Sequence, residues 1–218
     1  TPVTGGTGGT GGAGGTGGSP GQTVTSITVG TGPIGVAVAS DGTAYVANQG
    51  STTVSKIVGG VVTATITVGA GPIGVAVASD GTVYVTNYGS NNVSKIVGGV
   101  VTATIAVGTN PYGVAVASDG TVYVTNYSSN TVSKIVGGVV TATIAVGTRP
   151  TAVVVASDGS IYVTNNSTNN VSKIVGGVVT ATIAVGTQPE DVAQAPDGSI
   201  YVTNRGTNNV SKIVGDVV

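Results

Sequence analysis

The sequence predicts an all-β chain built from five copies of one four-stranded sheet, and three observations predict it. The first is a repeat at fixed spacing. Proline stands at 33, 72, 111, 150 and 189, aspartate at 41, 80, 119, 158 and 197, and tyrosine at 45, 84, 123, 162 and 201, a period of 39 residues. Self-similarity of this kind marks an array of one supersecondary unit. The second is vocabulary: from Thr23 onward Val, Ile, Thr and Tyr are punctuated by Gly, Asp-Gly and Asn, the residues of short strands and tight turns. The third is that the first and last strands of each unit (Val-Ala-Val-Ala; Val-Val-Thr-Ala-Thr-Ile) are apolar or small at nearly every position, which suits a sheet covered on both faces. A four-stranded antiparallel meander sandwiched between copies of itself is a propeller blade, so the expected fold is a five-bladed β-propeller.

Residues 1–22 carry a Gly-Gly-X triplet and almost no side chain able to enter a core. They read as a flexible linker or tail. The propeller is expected over 23–218, with repeats at about 30–68, 69–107, 108–146, 147–185 and 186–218. Within one repeat the strands read A Val75–Ala78, B Val83–Thr86, C Val93–Val97 and D Val101–Val107. Asp80-Gly81 closes A to B and Gly98-Gly99 closes C to D, because these residues accept the positive φ of a hairpin. Thr23–Val29 (TVTSITV) matches the D strand Val62–Val68 (VTATITV), while the last repeat stops at Val217-Val218 where its own D strand is due. The expectation is therefore a ring closed by 23–29, which removes open sheet edges.

Composition narrows function. With 8 acidic and 7 basic residues the formal charge is −1, far from the basic excess of a nucleic-acid binder. There is no His, Cys, Met, Trp or Phe, which removes thiolate and imidazole metal sites and Cys- or His-based nucleophilic catalysis. No 18-residue apolar run spans a membrane. The five turn aspartates read as turn chemistry, since one carboxylate per blade lacks the oxygens calcium takes. Lys56, Lys95, Lys134, Lys173 and Lys212 read as stems lying along the strand-B tyrosines.

The copies differ chiefly in two loops. The D–A loop varies at Gly32, Gly71, Asn110, Arg149 and Gln188, then at Ile34, Ile73, Tyr112, Thr151 and Glu190; the B–C loop varies at Gln49, Tyr88, Tyr127, Asn166 and Arg205. In an antiparallel meander these loops share one end of the strands, so one face varies and the other stays constant. Loops on a rigid scaffold are where binding resides. Tyr88, Tyr112, Tyr127, Arg149, Arg205, Glu190 and Asp191 are the candidate contacts, because Tyr and Arg carry much of interface energy and Tyr rings stack on sugars. Glu190-Asp191 as a catalytic carboxylate pair is disfavoured, since adjacent residues on a loop rarely flank one bond.

The words YVTN at Tyr84–Asn87, Tyr123–Asn126, Tyr162–Asn165 and Tyr201–Asn204, and YVAN at Tyr45–Asn48, sit within a Pro-x-Gly-Val-Ala-Val…Asp-Gly frame. This resembles the YVTN and NHL β-propeller repeats. The resemblance implies extracytoplasmic or surface propellers of six or seven blades that bind partners, with a few lyases that depend on histidine and a metal. Gly11–Gly18 (GGAGGTGG) resembles the glycine-rich repeats of the mycobacterial PE-PGRS family. The expectation is a non-enzymatic, monomeric propeller, extracellular or at the cell surface, without cofactor or metal, recognising a protein or glycan through its variable face. A multivalent lectin with one site per blade and a purely structural envelope module are the alternatives.

Overall fold

The computed structural model describes residues 24–215. The expected linker over 1–22 and the terminal Val217-Val218 lie outside the described residues. Among the described residues, nineteen strands form five antiparallel sheets. The first holds β1 Pro33–Val38, β2 Ala44–Asn48, β3 Thr53–Val58 and β4 Val61–Thr67. The second holds β5 Pro72–Val77, β6 Val83–Asn87, β7 Asn92–Val97 and β8 Val100–Ala106. The third holds β9 Pro111–Val116, β10 Val122–Asn126, β11 Thr131–Val136 and β12 Val139–Ala145, and the fourth holds β13 Pro150–Val155, β14 Ile161–Asn165, β15 Asn170–Val175 and β16 Val178–Ala184. The fifth has three strands, β17 Pro189–Gln194, β18 Ile200–Asn204 and β19 Asn209–Ile213.

The turns form as the sequence dictates. Gly98 and Gly99 take φ of 59° and 84°, the two left-handed positions of a two-residue hairpin that only glycine adopts freely. In the A–B turn Gly81 takes φ 82°, and Asp80 Oδ1 accepts the Thr82 N–H at 2.9 Å.

The repeated Tyr-Val-Thr-Asn word has one job per residue, because alternate side chains of a strand point to opposite faces. In the second sheet Val85 packs back against the first sheet, and Tyr84 packs forward against the third. Thr86 bridges sheets: its Oγ1 accepts the Gly74 N–H at 2.8 Å and donates to the Tyr112 carbonyl at 2.7 Å. Asn87 is fully buried and donates Nδ2 to Ser94 Oγ and Asn92 Oδ1. Each sheet thus buries a Val/Ile face on its predecessor and a Tyr/Val face on its successor, and the inner strands β1, β5, β9, β13 and β17 follow one another around an axis. This is a propeller arrangement of five sheets.

The arc does not close, which corrects the expected ring. Among the described residues, 24–29 form no strand and are mostly exposed, and the last strand of the fifth sheet is β19. Among the described residues β17 does not pack on β1 as the other inner strands pack on their neighbours. The two end faces are bare: Val36 and Val38 are 42% and 56% exposed, Tyr201 and Val210 are 38% and 57% exposed, and their counterparts within the arc are buried or half-buried. Within the arc the seams are packed with Tyr, Ile and Val side chains, and among the described residues no such packing joins the fifth sheet to the first.

Candidate functional site

The D–A and B–C loops do lie at one end of the sheets, and backbone bonds hold them together. Tyr88 N–H donates to Gly71 O at 2.9 Å, Tyr127 N–H to Asn110 O at 3.0 Å, Asn166 N–H to Arg149 O at 3.0 Å and Arg205 N–H to Gln188 O at 3.1 Å. Main-chain bonds place no demand on side-chain identity, so these positions vary without altering the loop. The preceding sheet's threonines fix the face from behind. Thr86, Thr125 and Thr164 donate to the carbonyls of Tyr112, Thr151 and Glu190 at 2.7, 2.7 and 3.4 Å.

On the axis a basin of about 400 Å³ is lined by Gln49, Ile73, Tyr88, Tyr112, Tyr127, Thr151, Asn166, Glu190 and Arg205. Five of the seven sequence-predicted contacts meet there. The three tyrosine rings pack on one another, with centroids 6.5 Å apart for Tyr88–Tyr112, 6.4 Å for Tyr88–Tyr127 and 6.0 Å for Tyr112–Tyr127. Spacings this short leave no gap between the rings, so they form an aromatic platform and not a cage. Arg149 lies outside the basin, its guanidinium 5.7 Å from the Tyr127 centroid. It borders a second groove of about 530 Å³ with Asn169, Thr187 and Gln188.

Asp191 is not in the basin. It occupies the register position of Gly35, Gly74 and Gly113, where a Cβ would meet the next sheet's carbonyl at 2.0–2.5 Å. Ala152 carries a Cβ at the same position in the fourth sheet, and Asp191 Oδ1 accepts the Val192 N–H at 2.9 Å. Gln49, Ile73, Thr151 and Asn166 line the basin without having been singled out. They belong to the same variable positions, and a preference for aromatic and charged residues passed them over.

Glu190 is the chemically distinctive group. Half-burial raises its carboxyl above the ordinary glutamate range, and neighbouring Asp191 pushes the same way, while Arg205 and a hydrogen bond from the Tyr112 hydroxyl oppose the rise. Asn166 Nδ2 donates to its Oε2 at 3.2 Å. Burial likewise raises the Tyr112 phenol, helped by the Glu190 charge. A proton-transfer group thus stands beside an aromatic floor. A metal does not fit: the basin offers one carboxylate, and among the described residues no three His, Cys, Asp or Glu side chains gather.

Elsewhere the recurrent charges behave as structural groups. Asp119 is held below the usual aspartate range, first by the Thr121 N–H donated to it. Lys173 and Lys212 lie with Nζ 5.6 Å from the rings of Tyr162 and Tyr201.

Fold and face together define a β-propeller with one asymmetric axial basin carrying aromatic, acidic and basic groups. Residues 22–217 match the Virginiamycin B lyase family, and the chain belongs to it. It resembles a catalytically inactive histidine-to-alanine variant of virginiamycin B lyase from Staphylococcus aureus with quinupristin (TM-score 0.78, 20% identity, 85% of this chain and 67% of that one). It also resembles the hydrazine synthase of Kuenenia stuttgartiensis (TM-score 0.78, 24% identity, 91% and 67%) and the WD40 β-propeller domain of Doa1 (TM-score 0.71, 14% identity, 80% and 61%). No curated protein matches the chain. Family membership overturns the expectation that the chain is no enzyme. That expectation rested on the missing histidine, and losing one residue type removes one kind of mechanism while leaving those a carboxylate and phenols support.

Proposed function

We propose that the variable face recognises a protein or glycan ligand and that recognition centres on the axial basin. The observation that carries this reading is the convergence of Tyr88, Tyr112, Tyr127, Glu190 and Arg205 on one basin from three different sheets. Tyrosine platforms offer broad, rigid apolar area with a polar edge, which suits both sugar rings and peptide side chains. The asymmetry favours one site per chain over one per sheet, because the aromatic groups come from the second and third sheets and the charges from the fifth. The reading places this face outside the cytoplasm, at the extracellular or cell-surface side, with 1–22 as its stalk.

Family membership favours a second component, turnover of the bound ligand. In an elimination a base takes a proton from one carbon, the C–H electron pair becomes a double bond to the adjacent carbon, and the leaving group departs from that carbon with its bonding pair, with no water added. Glu190 supports that step: a carboxylate whose proton affinity is raised by burial is a stronger base once ionised. Glycan-array binding and incubation with quinupristin or virginiamycin B, followed by chromatography with mass detection, test the two components. Binding lost in the combined Tyr88→Ser, Tyr112→Ser, Tyr127→Ser variant supports the basin, and unchanged binding moves the site elsewhere. Turnover lost in Glu190→Gln with binding kept supports the base, and equal turnover in that variant removes it.

A further inference from the structure

We propose, on the reading of the axial basin as a ligand site, that the polar groove beside it is its continuation and that the ligand is an oligosaccharide bearing carboxylates. The sugar chain runs outward from the tyrosine platform and sets one carboxylate on Arg149. The two spaces share a wall, since Asn166 lines both. Each lies within the roughly 300–1,000 Å³ of a ligand site, so a molecule that fills both is extended. The groove is walled by the D–A and B–C loops of the fourth and fifth sheets, through Arg149, Asn166, Ser167, Asn169, Thr187 and Gln188.

Two substitutions open this gap. At the equivalent place between the second and third sheets, Asn110 Nδ2 donates to the Tyr88 carbonyl at 3.1 Å and Asn110 Oδ1 accepts from Ser128 Oγ at 2.7 Å, so one side chain bridges two B–C loops. Between the fourth and fifth sheets Gln188 stands in place of Asn110 and Gly206 in place of Ser128. Glycine has no hydroxyl to offer, and the bridge gives way to a groove of about 530 Å³. Arg149 and Gln188 meanwhile hold φ of 54° and 51°, where the first two sheets have glycine at 62°, so strained backbone is kept at two positions lining one groove.

The lining selects the class of ligand. Its amides and hydroxyls both donate and accept, as sugar hydroxyls do, and it includes no Val, Ile, Leu or aromatic residue. Its main chain is already committed. The N–H groups of Asn166, Ser167, Asn169, Gln188 and Gly206 donate to Arg149 O, Thr148 O, Asn165 O, Asn169 Oδ1 and Thr187 O. A peptide entering as an added strand needs such groups free and side-chain pockets beside them, so a glycan fits where a peptide does not. Charge then separates groove from basin. In the basin Glu190 and Arg205 offset one another, whereas the groove carries Arg149 and no carboxylate. The Arg149 guanidinium lies over the Tyr127 ring, which holds its planar fork for a bidentate carboxylate. Tyr127 also belongs to the platform, so one ring joins the two subsites.

A glycan array probed with the 218-residue chain, in which each uronate oligosaccharide stands beside its carboxyl-reduced counterpart, tests this, followed by calorimetry on the best pair and on hexaglutamate. The wild-type chain is expected to bind the uronate about 10-fold more tightly than the reduced form, the range of one hydrogen bond to a charged group, with affinity falling as sodium chloride rises. Arg149→Gln introduces the residue that the fifth sheet already carries at this position, so it keeps the fold; it binds both forms alike and loses the salt dependence. The combined Tyr88→Ser, Tyr112→Ser, Tyr127→Ser variant loses both forms. No preference for the uronate, or a preference that Arg149→Gln retains, overturns the groove as a carboxylate subsite and leaves the basin reading standing. Uronate binding kept by the triple tyrosine variant overturns the basin reading and with it the continuity of the two spaces. Hexaglutamate bound as tightly as the uronate, or no array member bound at all, overturns the choice of a glycan.

Discussion

At the rim made by the Asp-Gly and Gly-Gly turns every sheet repeats nearly the same residues on the same backbone. At the opposite end the residues change from sheet to sheet while the backbone still does not. The contrast separates two ways of holding a loop. On the rim the side chain itself fixes the conformation, through glycine's positive φ and an aspartate oxygen that accepts the N–H two residues on. On the variable face main-chain bonds and the preceding threonine do the holding, and the side chains are free to differ. Some differ at a penalty: Gly32 and Gly71 take φ 62°, and Asn110, Arg149 and Gln188 hold 51–54° in the same place, a conformation that disfavours side chains with a Cβ. Strain of this kind points to what the side chain does, not to how the loop folds.

Five substitutions sharpen or break that contrast. The largest effect is expected from Tyr112→Ser, which lowers affinity for a glycan-array hit about 100-fold, in the range of a central interface tyrosine, with little change in melting temperature. A comparable loss of stability, read by denaturant titration, erases the distinction between the two ends. Gly120→Val forces a branched residue to φ 82° and destabilises by about 2 kcal/mol, with binding unchanged in calorimetry. Gln188→Gly relieves a left-handed side chain and stabilises by about 0.5 kcal/mol; a destabilised variant shows that Gln188 holds the loop after all.

The smallest effect separates the ends by acid. Glu190 holds its proton more tightly folded than unfolded, so it favours the fold below the ordinary glutamate range and loses that contribution as pH rises through its elevated value. Glu190→Gln therefore raises the melting temperature at neutral pH, and the difference vanishes on acidification. Asp119 and its equivalents have depressed values, so their contribution is present above the ordinary aspartate range and fades as pH falls through the lowered one. Melting curves across pH show the opposite slopes when Asp119→Asn and Glu190→Gln are compared.

Much of this was legible in the chain. The 39-residue period located every strand to within a few residues, since hydrophobic words and glycine turns are local instructions. Disagreement between copies led to Tyr88, Tyr112, Tyr127, Glu190 and Arg205, because the loops are backbone-held. Curvature was not legible. Five whole periods matched the arithmetic of a closed ring, but the angle between sheets depends on side-chain volumes meeting across an interface, such as Tyr84 against Val122 and Val124. Asp191 misled for the same reason: adjacent to Glu190 in sequence, it belongs to the bare end face.

The first sheet carries Ala47 where the next three carry threonine. Ala47 has no hydroxyl, so the first sheet's junction with the second lacks the threonine bond that crosses the next three seams. Under tension applied through the N-terminus, that seam parts first. The molecule then sheds one sheet as a unit before the other four yield, so the force trace begins with a small early step set by the absence of a single oxygen.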